Sequence, residues 1–441
     1  MRVSFFDTGL SGLLLIGLAV LGLPSARADA DHRDQATGTH REENNLECKL
    51  SDFAGEEGFR VGIVISESGA AKDLGTPECK SVGLLPRDLP NAKYSINYKI
   101  VDDQSDPEQA RIKTQKLIRD DNVDAIIGGT TTPASLAMIN DVTLHQVPMI
   151  SLAASTAVVK LPNGAPQRWV FQVAQSNKLM ANAIAEHMAS NHIGTVGFIG
   201  VDDAYGDDWL KEARTALQKQ HPKVEMVAVE RYARTDTSVT GQVLMIMAQK
   251  PDAVLIAGAG TEAVLRPEKE LKELGYSGNI YQTHGAATPE FLTGVGKEVI
   301  NGPFLPVGPV LVAEHLPRND VRSAAEDYQA RYRRLNGAAP ITTFGAHLYD
   351  ADLLLREAVK GISGQVQPKS EDFRRALRDS LEKTSGVAVS NGIIRFSESS
   401  HDGLDDCTCA RVMVQVKDGA WVVQTEPNQR VSQGESSPRG G

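Results

Sequence analysis

Past its first thirty residues the chain has no apolar run approaching the ~20 residues that cross a bilayer as a helix. Aromatics are scarce, at 5% of 441 residues, and there are only four cysteines. No basic block occurs. The formal net charge is −10, with Asp and Glu scattered, so no nucleic-acid partner is expected, since that calls for a basic face. Enzyme signatures are missing as well: there is no GxSxG elbow, no HExxH pair and no P-loop. Gly258-Ala259-Gly260 lacks the third glycine of a dinucleotide loop and runs on into Thr-Glu-Ala. No cofactor and no metal site are expected. Ser, His and Asp do occur at strand ends, which leaves a secreted hydrolase as a remote alternative.

What is present begins with a targeting segment. Arg2 precedes an apolar run from Leu10 to Leu23, which ends in Ala26-Arg27-Ala28. A short apolar core with a small-x-small exit reads as a secretory signal, cleaved after Ala28 with Ala30 as the fallback. No cysteine follows the run, which argues against a lipid anchor. The mature chain is therefore expected in the periplasm or otherwise outside the cytoplasmic membrane. Cys48, Cys79, Cys407 and Cys409 suit that oxidising space. Four thiols allow three full pairings. A ring between Cys407 and Cys409 would be strained, and no CxxC or His pair supports zinc. Cys48 with Cys79 is the favoured pair, because the two flank the first strand.

The stretch from Ile126 to Thr156 organises the rest. Two apolar runs, Ala125-Ile126-Ile127 and Pro148-Met149-Ile150, each empty into small hydroxyl residues. The first cluster is Gly128 to Thr132 and the second contains Ser151, Ala153, Ser155 and Thr156. Pro133 to Leu144 fits one helix between them, with Pro133 in the first turn. Strand, polar tip, helix, strand, polar tip is the pattern of a parallel α/β sheet, whose ligands bind at the carboxyl ends of the strands. The alternation runs from residue 60 to 295 and restarts near Phe171 to Ser176, which suggests two similar lobes. The first strand, Arg60 to Ile65, ends in Ser66-Glu67-Ser68-Gly69. Gly75 to Asn91 holds three prolines, so any helix there is expected to be short or broken. The Pro-rich segment near residue 303 reads as a second passage between lobes, and Gly386 to Gly392 as a third.

In this order and spacing, the motifs resemble the type I periplasmic solute-binding proteins of ABC importers, in the leucine/isoleucine/valine-binding group. The features are SxSG (Ser66 to Gly69), DDxxDP (Asp102 to Pro107), IIGGTTTPAS, VPMIS with Ala153-Ala154-Ser155, DDAYG (Asp202 to Gly206), the PDAV strand from Pro251, and Tyr349-Asp350-Ala351. They span about residues 60 to 425. The resemblance implies two Rossmann-like α/β lobes with parallel central sheets and a multi-crossing hinge. It divides the chain into a signal peptide 1–28, a polar lead-in 29–57, a first lobe 58–174 with 304–390, a second lobe 175–303 with 391–425, and a disordered tail 426–441.

It also implies a non-enzymatic role, with a small-molecule ligand, an amino acid or related small carboxylate or amide, and a membrane permease as partner. By position, the ligand carboxylate falls to Thr132 with Thr131 beside it, carboxylate and ammonium fall to Ala153 and Ser155, and Ser68 contributes from the first tip. Tyr205 matches the aromatic that covers the ligand. Three family positions depart from the pattern. Two aromatics are replaced by Leu74 and Ala259, and the acidic residue that grips an α-ammonium is replaced by His284. For Thr132 and Ser155 helix capping is the competing role. A sensor of the same fold, without a transport role, is the competing function.

Overall fold

The computed structural model describes residue 53 and residues 58–86, 95–219, 224–295, 302–362, 366–404 and 407–424. Compactness divides the chain into Met1–Asn45 and Leu46–Gly441, and all the described residues belong to the second unit. The signal segment, nearly all of the lead-in, Cys48 and the tail lie outside the described residues.

Apolar runs buried on both faces make the strands, as a parallel sheet covered by helices requires. In the first lobe, β1 (Phe59–Ile65), β2 (Ile96–Asp102), β3 (Ala125–Gly128), β4 (Met149–Ser151) and β5 (Val170–Gln172) pair in parallel in the order β2-β1-β3-β4-β5. They alternate with α1 (Lys72–Val82), α2 (Pro107–Arg119) and α3 (Thr132–Leu144). Asp106 caps α2, its carboxylate accepting from the N–H groups of Glu108 and Gln109 at 2.8 and 2.9 Å.

In the second lobe, α4 (Asn177–Ser190) leads into β6 (Thr195–Val201), α5 (Ala204–Lys219), β7 (Glu225–Tyr232), α6 (Thr240–Ala248), β8 (Ala253–Ala257), α7 (Thr261–Glu273), β9 (Asn279–Gln282), α8 (Pro289–Val295) and β10 (Phe304–Val307). The chain then returns to the first lobe with α9 (Asp320–Asn336), α10 (Thr343–Lys360), α11 (Glu371–Glu382) and a hairpin, β11 (Ser385–Val389) and β12 (Gly392–Arg395). Finally β13 (Val412–Lys417) and β14 (Ala420–Val423) join the second sheet antiparallel, giving the order β14-β13-β10-β9-β8-β6-β7.

Each lobe has its own core. Phe59, Ile63, Phe171, Tyr328 and Phe373 are buried in the first, and Phe198, Ile199, Trp209, Ile256 and Tyr281 in the second. Phe59 packs on Phe373 of α11 with ring centroids 5.6 Å apart, so the returning helices close over the first sheet.

Several expectations shift. α1 runs through Pro77 instead of breaking there. It lies so close to α10 that a Cβ on Gly345 would sit 2.8 Å from the Pro77 carbonyl oxygen, and this packing overrides the proline's local preference. Phe304–Val307, read as the start of the return to the first lobe, pairs with β9 and β13 in the second sheet. Residues 391–410, assigned to the second lobe, carry Ile394, Phe396, Leu404 and Ala410 into the first core. The crossings therefore lie at Val173–Ser176, at Gly308 and near Arg411, and the 386–392 segment is a hairpin within one lobe. The crossings touch: Gln175 Nε2 donates to the Ala410 carbonyl at 3.2 Å, and a Cβ on Gly308 would meet Gln175 Nε2 at 2.6 Å. Cys407 is bonded to Cys409, the pairing held unfavourable on spacing; the turn folds back enough to bring their Cα atoms to 5.0 Å, within disulfide reach. Cys79 is also disulfide-bonded.

Candidate ligand-binding site

The polar tips at the carboxyl ends of β3 and β4 have distinct roles. Thr131 is the N-cap of α3, its hydroxyl oxygen accepting from the Ala134 N–H at 3.3 Å. Thr130 points inward, accepting from the Ser66 N–H at 2.9 Å and donating to Glu78 at 2.5 Å. Burial holds the Glu78 carboxyl well above the usual carboxylate range. Thr132, one residue past the cap, is buried, and its Oγ1 has no hydrogen-bond partner among the described residues. Capping thus falls to Thr131, and the neighbouring Thr132 hydroxyl takes no part in it. After β4, the Ala153 N–H donates to Ser151 Oγ at 3.1 Å, and Ser155 Oγ accepts from the Ala157 N–H at 3.2 Å.

The second lobe faces these tips with the ends of β6, β7, β8 and β9. Asp203 accepts from the N–H groups of Tyr205 and Gly206 at 2.9 and 3.2 Å and so starts α5. Its other oxygen takes Arg234 Nε at 2.6 Å, while Arg234 Nη1 donates to the Ala259 carbonyl at 2.5 Å. Tyr205 donates to Thr283 Oγ1 at 3.1 Å, which seats its ring beside the tip of β9; burial pushes the phenol up to about 12. His284 sits on that tip with its ring centroid 5.7 Å from Trp209 and 6.5 Å from Tyr205. Burial lowers its pKa to about 3, so the imidazole is neutral, and Nδ1 has no partner among the described residues.

A cavity of about 410 Å³, part of it open to solvent, lies between the lobes. Thr131, Thr132, Ala153, Tyr205, Ala259 and His284 line it, together with Leu74. Ser68 and Ser155 do not. Ser68 is exposed and donates to Asp102 at 2.5 Å, holding the first loop in place. Ser155 is buried and its hydroxyl bonds to Asp208 of α5.

The wall also holds residues that the sequence did not single out, chiefly Arg234, Phe344 and His347. Phe344 and His347 come from the first turns of α10, whose N-cap is Thr342. The local signal for them is a hydroxyl pair, Thr342-Thr343, opening a helix, the same kind of tip as the other two. No Asp or Glu among the described residues lines the cavity. Among the described residues no three His, Cys, Asp or Glu side chains gather as a metal site, and no helix is long and apolar enough to cross a membrane. The arrangement offers a helix N-terminus, a hydroxyl and the His347 imidazole from the first lobe, the His284 imidazole and a partnered guanidinium from the second, and an apolar floor.

Comparison with known proteins agrees with this geometry. A family model described as periplasmic binding protein matches residues 58–420. The chain is similar to the crystal structure of an extracellular ligand-binding receptor from Rhodopseudomonas palustris HaA2, at 35% identity and a TM-score of 0.76, covering 84% of this chain and 100% of that one. It shares its fold with the branched-chain amino acid transporter substrate binding protein LivJ from Streptococcus pneumoniae, solved with isoleucine, at 21% identity and a TM-score of 0.67, covering 83% and 99%. A putative branched-chain amino acid ABC transporter from Rhodospirillum rubrum matches at 20% identity and 0.59, covering 83% and 100%.

Proposed function

Because the chain belongs to the periplasmic binding protein family, we propose that it is the extracytoplasmic solute-binding component of an ABC importer, trapping a small carboxylate or amide between its lobes. The observation that carries the reading is a convergence of buried polar atoms without partners. Thr132 Oγ1, His284 Nδ1 and His347 Nδ1 come from different elements and line one cavity. Buried polar groups are almost always hydrogen-bonded, and an exception gathered in a cleft calls for a ligand. The N-terminal end of α3 carries a partial positive charge and the Thr132 hydroxyl can donate, which suits a carboxylate there. An α-ammonium would lie buried without a counter-charge, at a cost of several kcal/mol, so relatives of amino acids lacking that group are favoured over zwitterions. Contacts from both lobes favour the closed form by their differential affinity for it. The family's extracytoplasmic setting fits the secretory signal at the N-terminus, and the transporter component named among the similar structures supports a permease as partner.

A thermal-shift screen of the mature protein against amino acids, small carboxylates, amides and aromatic acids tests the proposal. A true ligand at about 100 times its dissociation constant adds roughly 2.7 kcal/mol of stability. Thr132→Ala is expected to weaken binding about tenfold; unaltered binding refutes the assignment of the cleft. Loss of solute uptake on deleting the protein supports import, whereas intact uptake with a lost gene response supports the sensor role instead.

A further inference from the structure

His347 stands apart from the other cavity residues because its hydrogen-bonding sense is determined. Its Nε2 lies 2.7 Å from Gln175 Oε1. Gln175 Nε2 donates to the Ala410 carbonyl at 3.2 Å, so the amide nitrogen is on that side and the oxygen faces the histidine. An amide oxygen only accepts, so His347 Nε2 carries the ring proton and Nδ1 presents a lone pair. That nitrogen is buried with no partner among the described residues, on a side chain that lines the cavity. A second imidazole, His284, shares the cavity, and the guanidinium there is already engaged by Asp203. A positive charge on either ring is therefore opposed by its surroundings, and burial with the neighbouring His284 brings the His347 pKa down to about 3.

From this geometry we infer that His347 is a specificity-determining residue that selects ligands carrying a neutral hydrogen-bond donor, a hydroxyl or an amide N–H. The inference rests on the ligand-binding reading above and refines it. A hydroxyl such as Thr132 can turn to donate or accept, but His347 Nδ1 can only accept. A ligand that places an ether, a methyl group or a carboxylate there leaves the lone pair unsatisfied, or repels it. An ammonium would satisfy the lone pair but would find no carboxylate on the wall. The same residue is also joined to the crossings between the lobes. Through Gln175 the ring bonds to the first crossing, and Gln175 in turn holds Ala410 beside the third. The donor contact and the crossings are thus two ends of one hydrogen-bonded chain, His347–Gln175–Ala410.

The test uses matched sets of small carboxylates, aliphatic and aromatic, in which one skeleton bears a hydroxyl, its methyl ether, a primary amide, its fully N-methylated amide, an ammonium or hydrogen. Dissociation constants are measured for the mature protein and for two variants. His347→Gln keeps a donor toward Gln175 and removes the acceptor; His347→Asn keeps an acceptor near the Nδ1 position and loses the bond to Gln175. In the unaltered protein the donor-bearing member should bind at least ~10-fold tighter than its methylated counterpart. His347→Gln should reduce that ratio to within about twofold, while His347→Asn should retain the ratio and weaken both members alike. Melting temperatures without ligand establish that each variant folds, and the ratio is a readout that a purely structural role would not move. A ratio near one in the unaltered protein overturns the inference, as does a ratio unchanged in His347→Gln or tightest binding by the ammonium member. Binding without preference defeats this inference alone, whereas no binding by any compound of the set defeats the ligand-binding reading as well.

Discussion

Asp208 joins the two lobes directly, and its removal should cost ligand affinity without touching the cavity wall. It lies on α5 of the second lobe and is buried. One oxygen accepts from Asn177 Nδ2 of the same lobe at 2.8 Å and from the Thr156 N–H of the first lobe at 3.3 Å; the other accepts the Thr156 hydroxyl at 3.2 Å. Ser155 adds its hydroxyl to the same carboxylate, and burial holds that carboxyl above its usual range. The bonds to Thr156 and Ser155 exist only while the lobes are together. A hydrogen bond to a charged acceptor contributes about 1.5–3 kcal/mol at good geometry, and 3.2 Å is long for O–H···O, so the hydroxyl bond is worth about 1 kcal/mol. Thr156→Val removes that bond and keeps the backbone one. Where the open form predominates without ligand, the apparent dissociation constant rises by the same factor as the closed population falls, roughly fivefold. Asp208→Asn turns one acceptor into a donor facing donors and should cost about 2 kcal/mol, roughly thirtyfold. The two effects belong to one contact, so in the double variant Thr156→Val should add less than about twofold to Asp208→Asn. Calorimetric titration of the four proteins with any ligand from the screen reads these factors. Full additivity, or an unchanged affinity in Asp208→Asn, would refute the contact as a closure latch.

Other consequences follow for pH and for the tips. His187, His284 and His347 have pKa values lowered by burial to about 4, 3 and 3, so between pH ~6.5 and those values the unfolded chain binds protons that the folded chain does not. Their contribution is fully present above pH ~6.5 and is lost as pH falls, on the order of 3 kcal/mol for His187 alone. Asp124 and Asp350, raised to about 6 and 7, act in the opposite sense, so the check is the difference in melting temperature between the unaltered protein and His187→Phe from pH 7 to 4. A gap that does not change with pH would contradict the assignment. Asp350 accepts from the Ser390 N–H at 3.0 Å and its hydroxyl at 2.7 Å, so Asp350→Asn should destabilise the protein most at acid pH, where the native carboxyl is protonated, and least above pH 7. Ser68→Ala should leave ligand affinity within about twofold, because Ser68 binds Asp102 and does not line the cavity; a larger loss measured by titration would return Ser68 to the site.

How far the fold could be read follows from what each element depends on. α3 was legible from Pro133 and the polar tip before it because its cap, Thr131, is three residues from the N–H it accepts. α1 was not, because nothing near Pro77 announces the helix α10 against which it packs. The short strand Phe304–Val307 contains Pro306 and looked like a linker. It is a strand because β9 and β13 flank it, and the second of these arrives more than a hundred residues later. The misplaced crossings have the same origin: whether a segment passes between lobes depends on which core buries its side chains, and Leu404 and Ala410 give no local sign that theirs is the first.

The lining of the candidate site divides along the same line. The half formed at single strand tips was readable, since Thr131, Thr132 and Ala153 follow their strands within a few residues and Tyr205 follows β6 as closely. Resemblance alone could not separate Thr132 from Ser155, both hydroxyls at the start of helical turns. Their partners do separate them: Ser155 is committed to Asp208 and Ala157, while Thr132 Oγ1 has no partner among the described residues. The hydroxyl pair Thr342-Thr343 could mark the helix that carries His347, but the roles of Arg234 and His347 were beyond reach because each depends on a distant partner, Asp203 for one and Gln175 for the other. The departure at His284 acquires its chemical meaning only from such a partner. A single neutral imidazole in place of an acid merely deletes a counter-charge. Two imidazoles in one cavity, with the proton of one fixed by Gln175, replace attraction to an ammonium by acceptance of a neutral donor.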